Sequence, residues 1–195
     1  MRDSAKSREL ARKNLAAFRL EDFDAIVTNA AGCGSTLKEY GYLFSPDEPE
    51  YASAFAFGAK TRDVTEFLAG FGLTAKVYPL RHRVTYQDSC HLLHGQKIRE
   101  APRTLLRAIP QLDFVELPYS EICCGSAGTY NITQTETSLQ LLAEKMRHAQ
   151  STGAQTIVTA NPGCILQLRA GAELHHTNQN VLHVVELLDR ALVPA

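Results

Sequence analysis

Short apolar runs alternate with helix-like stretches along most of the chain. The apolar runs typical of strands lie at 24–29, 76–80, 83–87, 112–117 and 155–160. Elsewhere apolar side chains recur every three or four residues, as on one face of a helix. Helices are therefore predicted near 5–19, 34–43, 49–58, 61–71, 91–109, 133–152, 164–172 and 183–192. This alternation predicts an α/β fold with a parallel sheet covered on both faces, and ligands near the carboxyl ends of the strands.

One stretch of the chain occurs twice. Residues 26–33 and 157–164 are identical at five of eight aligned positions, and both end in Gly-Cys. The second copy also has an upstream half, which has no counterpart before the first copy. We therefore predict two repeated units, the first truncated at its N-terminus (1–74) and the second complete (75–195). A chance match of a short apolar strand is the alternative.

Charge and hydropathy exclude several classes of partner. The 20 Lys and Arg residues nearly balance 21 Asp and Glu residues, so no broad basic surface is expected and a nucleic-acid partner is disfavoured. No apolar stretch approaches the roughly 18 residues that cross a bilayer, so no transmembrane segment is expected. The basic first residues lack a following apolar run typical of a secretory signal, which predicts a cytoplasmic protein.

Five cysteines carry the candidate chemistry. An odd number of cysteines in a reducing compartment points away from a disulfide framework and towards metal or redox chemistry. We predict that Cys90, Cys123, Cys124 and Cys164 bind one metal centre. Such a set suits an iron–sulfur cluster or a structural zinc ion, and redox-active or structural thiols are the other alternative. Cys33 is predicted to be either a further metal ligand or a buried thiol.

Glycines accompany the adjacent cysteines. Neighbouring side chains of a strand point to opposite faces, so only a turn brings both sulfur atoms of Cys123 and Cys124 to one site. Gly125 and Gly128 would permit such a turn and let backbone N–H groups approach a sulfur atom. Residues 161–163, Asn-Pro-Gly, predict a tight loop before the last cysteine. His91 and His94 follow Cys90 and are either accessory groups of the site or a solvated pair.

The cysteine spacing resembles a known family. Cys90 is followed after 32 residues by Cys123-Cys124-Gly125, and 38 further residues separate this motif from Cys164. This spacing is similar to the CCG or cysteine-rich domain, found in heterodisulfide reductases, lactate-utilisation proteins and the glycolate oxidase iron–sulfur subunit. Residues 30–41, 86–96 and 122–131 most resemble the C-terminal part of this glycolate oxidase (glycolate dehydrogenase) subunit.

The resemblance implies a cofactor, partners and a location. It implies a cluster of the 4Fe-4S type bound by Cys90, Cys123, Cys124 and Cys164, with Cys33 as a further candidate. The chain would relay electrons from FAD in a separate glycolate-oxidising subunit, which produces glyoxylate, towards a quinone-level acceptor. A further subunit of the complex is implied, as is contact with the inner face of the cell membrane through these partners.

The chain also departs from the family's layout. Such subunits carry an amino-terminal ferredoxin-like segment with Cys-x-x-Cys motifs and two complete CCG repeats, whereas this chain has no Cys-x-x-Cys and one Cys-Cys-Gly. No dinucleotide or phosphate-loop glycine motif is present either, so flavin binding is expected elsewhere. The resemblance thus implies a non-flavin subunit that is not catalytic by itself. The alternatives are a lactate-utilisation or heterodisulfide-reductase type subunit, or a thiol or zinc domain without electron transfer.

Overall fold

A computed structural model describes residues 4–193 and divides the chain into two compact units. The first unit is Met1–Val64 and the second is Thr65–Ala195. The sequence prediction places the boundary of the repeat between residues 74 and 75, and that assignment of repeats stays a prediction. The outermost residues, 1–3 and 194–195, lie outside the described residues.

From residue 4 onward, the first unit combines three α-helices with a two-stranded parallel sheet. Its elements are α1 (Ser4–Ala17), β1 (Ile26–Thr28), α2 (Ala31–Lys38), α3 (Tyr51–Lys60) and β2 (Thr61–Asp63), with 3₁₀ turns at Leu20–Asp22 and Tyr40–Leu43. The strands pair in parallel, with Ile26 opposite Thr61. A core of Ala11, Tyr40, Phe44, Ala54 and Phe57 fills this unit.

The second unit is built on a four-stranded parallel sheet. Helix α4 (Val64–Phe71) begins at the unit boundary and leads into it. The strands are β3 (Arg83–Tyr86), β4 (Asp113–Glu116), β5 (Thr156–Thr159) and β6 (Asn180–His183). The helices are the π-helical turn His91–Gly95, α5 (Glu100–Arg107), α6 (Tyr130–Thr133), α7 (Thr135–Ser151), α8 (Pro162–Leu174) and α9 (Val184–Ala191).

Burial of the sheet explains its apolar sequence. The strand order is β4-β3-β5-β6, and every adjacent pair is parallel. All four residues of β5 are buried, as expected for a central parallel strand covered on both faces. The predicted α/β fold with parallel sheets is therefore confirmed.

The element order supports the internal repeat. In the first unit, β1 is followed by α2 and pairs with β2; in the second, β5 is followed by α8 and pairs with β6. Ile26 pairs with Thr61 as its sequence equivalent Ile157 pairs with Val181. The equivalent strands thus have the same neighbour in the same register, which supports two repeated units.

Three predicted elements differ from the structure. Residues 76–80 form no strand, because their N–H groups bond outside any ladder: Tyr78 to the Ala191 carbonyl and Leu80 to the Pro110 carbonyl. The predicted helix 61–71 begins as strand β2, and the predicted helix 91–109 is interrupted. Lys97 has a φ of 61° between the π-helical turn and α5, which no α-helix accommodates.

Candidate metal centre

The cysteines of the second unit follow three adjacent strands of its sheet. Cys90 comes after β3, Cys123 and Cys124 after β4, and Cys164 after β5. The chain passes from β3 to β4 on one side and returns to place β5 on the other side of β3. Ligands of open parallel sheets bind at such a reversal of strand order. The four cysteines of the second unit therefore lie in loops and a helix start that follow the carboxyl ends of adjacent strands.

The four sulfur atoms form a connected row. Each side chain lies close enough to shift the pKa of the next: Cys90 and Cys123, Cys123 and Cys124, and Cys124 and Cys164. Cys124 and Cys164 are buried, whereas Cys90 and Cys123 are half-buried, and no cysteine within the described ranges forms a disulfide. The structure thus brings together the four residues that the sequence predicts as ligands, although their ligand role itself stays a prediction.

Gly125 closes the turn that joins the adjacent cysteines. Its φ is +92°, a conformation that side chains disfavour. Its N–H donates to Cys123 Sγ at 3.3 Å, and Ser138 Oγ donates to its carbonyl oxygen at 2.8 Å. A Cβ here would overlap the backbone carbonyl of Ser138. The predicted turn with an N–H group directed at sulfur is present.

Helix α8 begins inside the predicted loop 161–163 and, as predicted, contains Cys164. Pro162 is the first residue of α8, so Cys164 belongs to the first helical turn. Proline suits this position because its missing N–H would have no helical partner there. The side-chain amide of Asn161 donates to Cys164 Sγ at 3.5 Å. Both this amide and the positive end of the helix dipole favour a thiolate.

The pKa shifts of the four cysteines differ in direction. Hydrogen bonds from Cys124 and Cys90 lower the pKa of Cys123 to about 2, although burial opposes this. The hydrogen bond with Cys124 likewise lowers the pKa of Cys164. The hydrogen bond to Cys123 raises the pKa of Cys90 and of Cys124. The pKa is thus lowered at Cys123 and Cys164 and raised at Cys90 and Cys124, and the thiolate is the form that binds metals.

The chemistry of the donor set suits an iron–sulfur cluster. Within residues 4–193, no three or more His, Cys, Asp or Glu side chains are grouped so as to hold one metal ion. Four cysteines in a row, with backbone N–H donors beside them, suit a group with several metal atoms, each of which binds a different sulfur atom. Iron–sulfur clusters bind four cysteines in this way and accept hydrogen bonds at their sulfur atoms.

A buried ion pair fixes the loops that carry the cysteines. Arg103 on α5 binds both carboxylate oxygens of Asp88, at 2.9 and 2.8 Å. Ser120 Oγ donates to the same carboxylate at 2.7 Å, and Arg103 Nε also reaches Glu116 at 3.1 Å. Because Asp88 precedes Cys90 by two residues, and Ser120 precedes the adjacent cysteines, these contacts join the two loops.

Helix α7 packs against the turn at Gly125. Ser138, Leu142 and Lys145 are spaced by four and three residues and so share one face of the helix. Ser138 contacts Gly125, and Leu142 packs in the core that contains Cys124 and Cys164. Lys145 donates to the carbonyl oxygens of Tyr119 and Ser120, at 2.6 and 3.3 Å. The Cys-Cys-Gly segment is thus held against one face of helix α7.

The remaining sequence candidates lie differently. Cys33, in the first turn of α2 in the first unit, is exposed, so the interpretation as a buried thiol is wrong. Its role as a metal ligand stays a prediction. His91 Nδ1 lies 3.5 Å from Cys90 Sγ, which makes His91 a neighbour of the row, and His94 is exposed.

Sequence reasoning missed the buried polar residues around the row. Asp88, Arg103, Ser138 and Lys145 are each at most 2% exposed, yet the sequence prediction gives none of them a role. A signal exists for Lys145 and Ser138, since both stand in register with Leu142 on the apolar face of α7. No comparable pattern distinguishes Asp88 from a surface loop residue.

These features define a class of protein. Its members carry a cysteine-rich site at the carboxyl edge of a parallel sheet, and such a site can bind an iron–sulfur cluster. A family model for the CCG cysteine-rich domain matches residues 1–38 and 84–169, more than half of the chain. The two matched segments include all five cysteines and fall on the two repeated units. The chain belongs to the CCG cysteine-rich domain family.

Several proteins similar to this chain are named for oxidation–reduction functions. The chain is 42% identical over 186 residues to the probable glycolate oxidase iron–sulfur subunit of Bacillus subtilis (strain 168), covering 93% of this chain and 42% of that protein. It is 33% identical over 182 residues to lactate utilization protein A of Bacillus pumilus (strain SAFR-032), covering 92% and 75%. A subunit of the CoM/CoB fumarate reductase of Methanothermobacter marburgensis is 35% identical over 184 residues, covering 94% and 35%. The chain therefore spans less than half of the first and third relatives.

Among residues 4–193, none of the helices combines the length and apolar character needed to cross a membrane.

Proposed function

We propose that this chain is an iron–sulfur electron-transfer subunit of an oxidoreductase complex that oxidises glycolate to glyoxylate. Cys90, Cys123, Cys124 and Cys164 would bind a cluster of the 4Fe-4S type. The cluster supplies one-electron transfer when it is bound. The observation that carries the proposal is the row of four cysteines at the edge of the sheet where the strand order reverses.

The chain's residues give such a cluster a defined environment. Cys123 and Cys164 are favoured as thiolates, and the Gly125 N–H is directed at the sulfur of Cys123. The burial of Cys124 and Cys164 excludes water from one end of the row. The Asp88–Arg103 pair holds the loops in place, so the ligands need little rearrangement on binding.

The wider complex follows from the relatives. Glycolate is favoured as the substrate of the complex by the 42% identity to a probable glycolate oxidase iron–sulfur subunit. We further propose FAD as the electron donor in a separate subunit, a quinone-level acceptor, and one more subunit in the complex. The complex would lie in the cytoplasm, at the inner face of the membrane through these partners.

Anaerobic reconstitution with iron and sulfide tests the proposal. We expect a brown protein with about four iron and four sulfide per chain and an EPR signal after reduction. Cys124→Ser should lose most of the iron, because Cys124 is central in the row, while Ser151→Ala at the exposed end of α7 should keep it. Stoichiometric zinc without acid-labile sulfide would contradict the proposal and favour a zinc domain.

A second candidate function has its own support. Lactate utilization protein A of Bacillus pumilus is 33% identical and is covered over 75% of its length, a larger share than the glycolate oxidase relative. The same relay chemistry would then serve a complex that oxidises lactate. Purifying the complex through this chain and comparing glycolate with lactate as electron donor distinguishes the two functions.

A further inference from the structure

Lys145 is a buried cation without a carboxylate partner. The residue is 2% exposed. In the part of the chain that the structure describes, its polar partners are the carbonyl oxygens of Tyr119 and Ser120. An ammonium group removed from water is unfavourable unless negative charge lies nearby. A nearby group must therefore compensate the positive charge of Lys145.

The nearby carboxylates are already engaged or exposed. Asp88 is bound by both terminal nitrogens of Arg103, and Glu116 accepts from the same guanidinium. Glu121 is exposed to solvent, where water screens its charge. Among the described residues, the cysteine row is a further source of negative charge on this side of α7, because its thiols lose protons when they bind a metal.

Lys145 is anchored to the chain segment that carries Cys123 and Cys124. The carbonyl groups that it binds belong to the segment leading into Cys123 and Cys124. Leu142, three residues earlier on the same helix, packs with Cys124 and Cys164 in one core cluster. Burial lowers the pKa of Lys145, and the nearby sulfur of Cys124 opposes this change. Geometry and charge both associate Lys145 with the thiols.

We propose that Lys145 is the positive counter-charge of the cysteine site and raises the reduction potential of the cluster held there. This inference rests on the proposed function. A fixed positive charge in a water-poor environment stabilises the reduced, more negative form of a redox centre. Lys145 is not a ligand; it acts on the site through its charge.

Substitutions at Lys145 separate charge from structural support. Lys145→Gln removes the charge but keeps an N–H donor, and Lys145→Arg keeps the charge. Arg147→Gln is the matched control, since Arg147 lies on the same helix with its side chain 68% exposed. The measurement is an EPR-monitored redox titration of each anaerobically reconstituted protein, with iron content and thermal unfolding measured in parallel.

We expect Lys145→Gln to shift the midpoint potential to more negative values, while Lys145→Arg and Arg147→Gln match the wild type. If the glutamine variant does not bind iron, Lys145→Met provides a second neutral side chain for comparison. Binding of iron by the arginine variant and not by the two neutral variants also supports the counter-charge.

Two results would overturn the inference while leaving the proposed function intact. One is an unchanged potential in an iron-loaded Lys145→Gln protein. The other is a loss of iron from all three Lys145 variants although they remain folded, since shape and not charge would then matter. Failure of the wild-type chain to bind iron and sulfide would instead contradict the proposed function itself.

Discussion

At the scale of single residues, Gly125 shapes the site by lacking a side chain. Its φ of +92° turns the chain directly after the adjacent cysteines, and its N–H and carbonyl groups meet Cys123 and Ser138. Gly128, three residues later, has a φ of +68°, but a Cβ added there would have no neighbouring atom within 4 Å. The two glycines therefore share a backbone requirement and differ in available space.

Substituting the two glycines separates these effects. Gly125→Ala should lower the free energy of unfolding by about 2–4 kcal/mol, because backbone strain adds to the overlap with Ser138. Gly128→Ala should cost only the strain, about 1–2 kcal/mol. Urea unfolding monitored by circular dichroism measures both. Equal losses in the two variants would show that contact with α7 is unimportant.

At the scale of elements, one ion pair connects a helix with two loops. Arg103 on α5 binds Asp88, which follows β3, and Asp88 accepts from Ser120, which follows β4. Burial raises the pKa of Asp88, but the hydrogen bonds from Arg103 and Ser120 outweigh it, so the pKa lies below its ordinary value. The ionised carboxylate consequently stabilises the folded chain.

This pair predicts a pH dependence. Asp88 contributes its full stability above its unfolded pKa of about 4, and this contribution is lost as the pH falls through the lower folded value. Asp88→Asn should therefore destabilise the protein by about 3–5 kcal/mol near neutral pH, and the difference should shrink below about pH 4. Free energies of unfolding measured across this range test it.

A surface carboxylate provides the control for this experiment. Asp113 lies 3.6 Å from Arg83 in an ion pair whose Arg and Asp side chains are 48% and 59% exposed. Asp113→Asn should change the free energy of unfolding by less than about 1 kcal/mol. If the Asp88→Asn difference stayed constant down to about pH 3, the carboxylate would not be stabilised by ionisation.

At the scale of the whole molecule, the repeat places equivalent cysteines in different surroundings. Cys164 is 4% exposed and belongs to the sulfur row. Cys33 occupies the same position after β1 but is exposed, and it is the one cysteine of the Met1–Val64 unit. A cluster requires about four thiolates at one place, and the second unit contains four cysteines.

Separate substitution of these two cysteines tests the difference. We expect Cys164→Ser to lose most of the iron bound after reconstitution, and Cys33→Ser to keep it. Iron and sulfide analysis, with EPR of the reduced proteins, measures the outcome. A comparable loss from Cys33→Ser would establish Cys33 as a further ligand, which is one of the alternatives that the sequence predicts.

Part of the structure could be predicted from local sequence. Strands β1, β3, β4 and β5 carry enough apolar residues to be recognised. Gly153 follows the end of α7 with a φ of +65°, a conformation that favours glycine at this position. Strands β2 and β6 are not predicted, because each runs directly into a helix and its residues continue that helix's pattern. Such short strands are defined by their partners more than by their own side chains.

The sequence by itself determined the α/β fold class and the set of four thiols, and it indicated the repeat, because these depend on local periodicity, glycine and spacing. Only the tertiary structure decided which polar residues lie beneath the thiols. Arg103 and Lys145 are common surface residue types, and their burial depends on the helices and loops that pack around them. The exposure of Cys33 was likewise decided by packing, since its local sequence closely matches that of the buried Cys164.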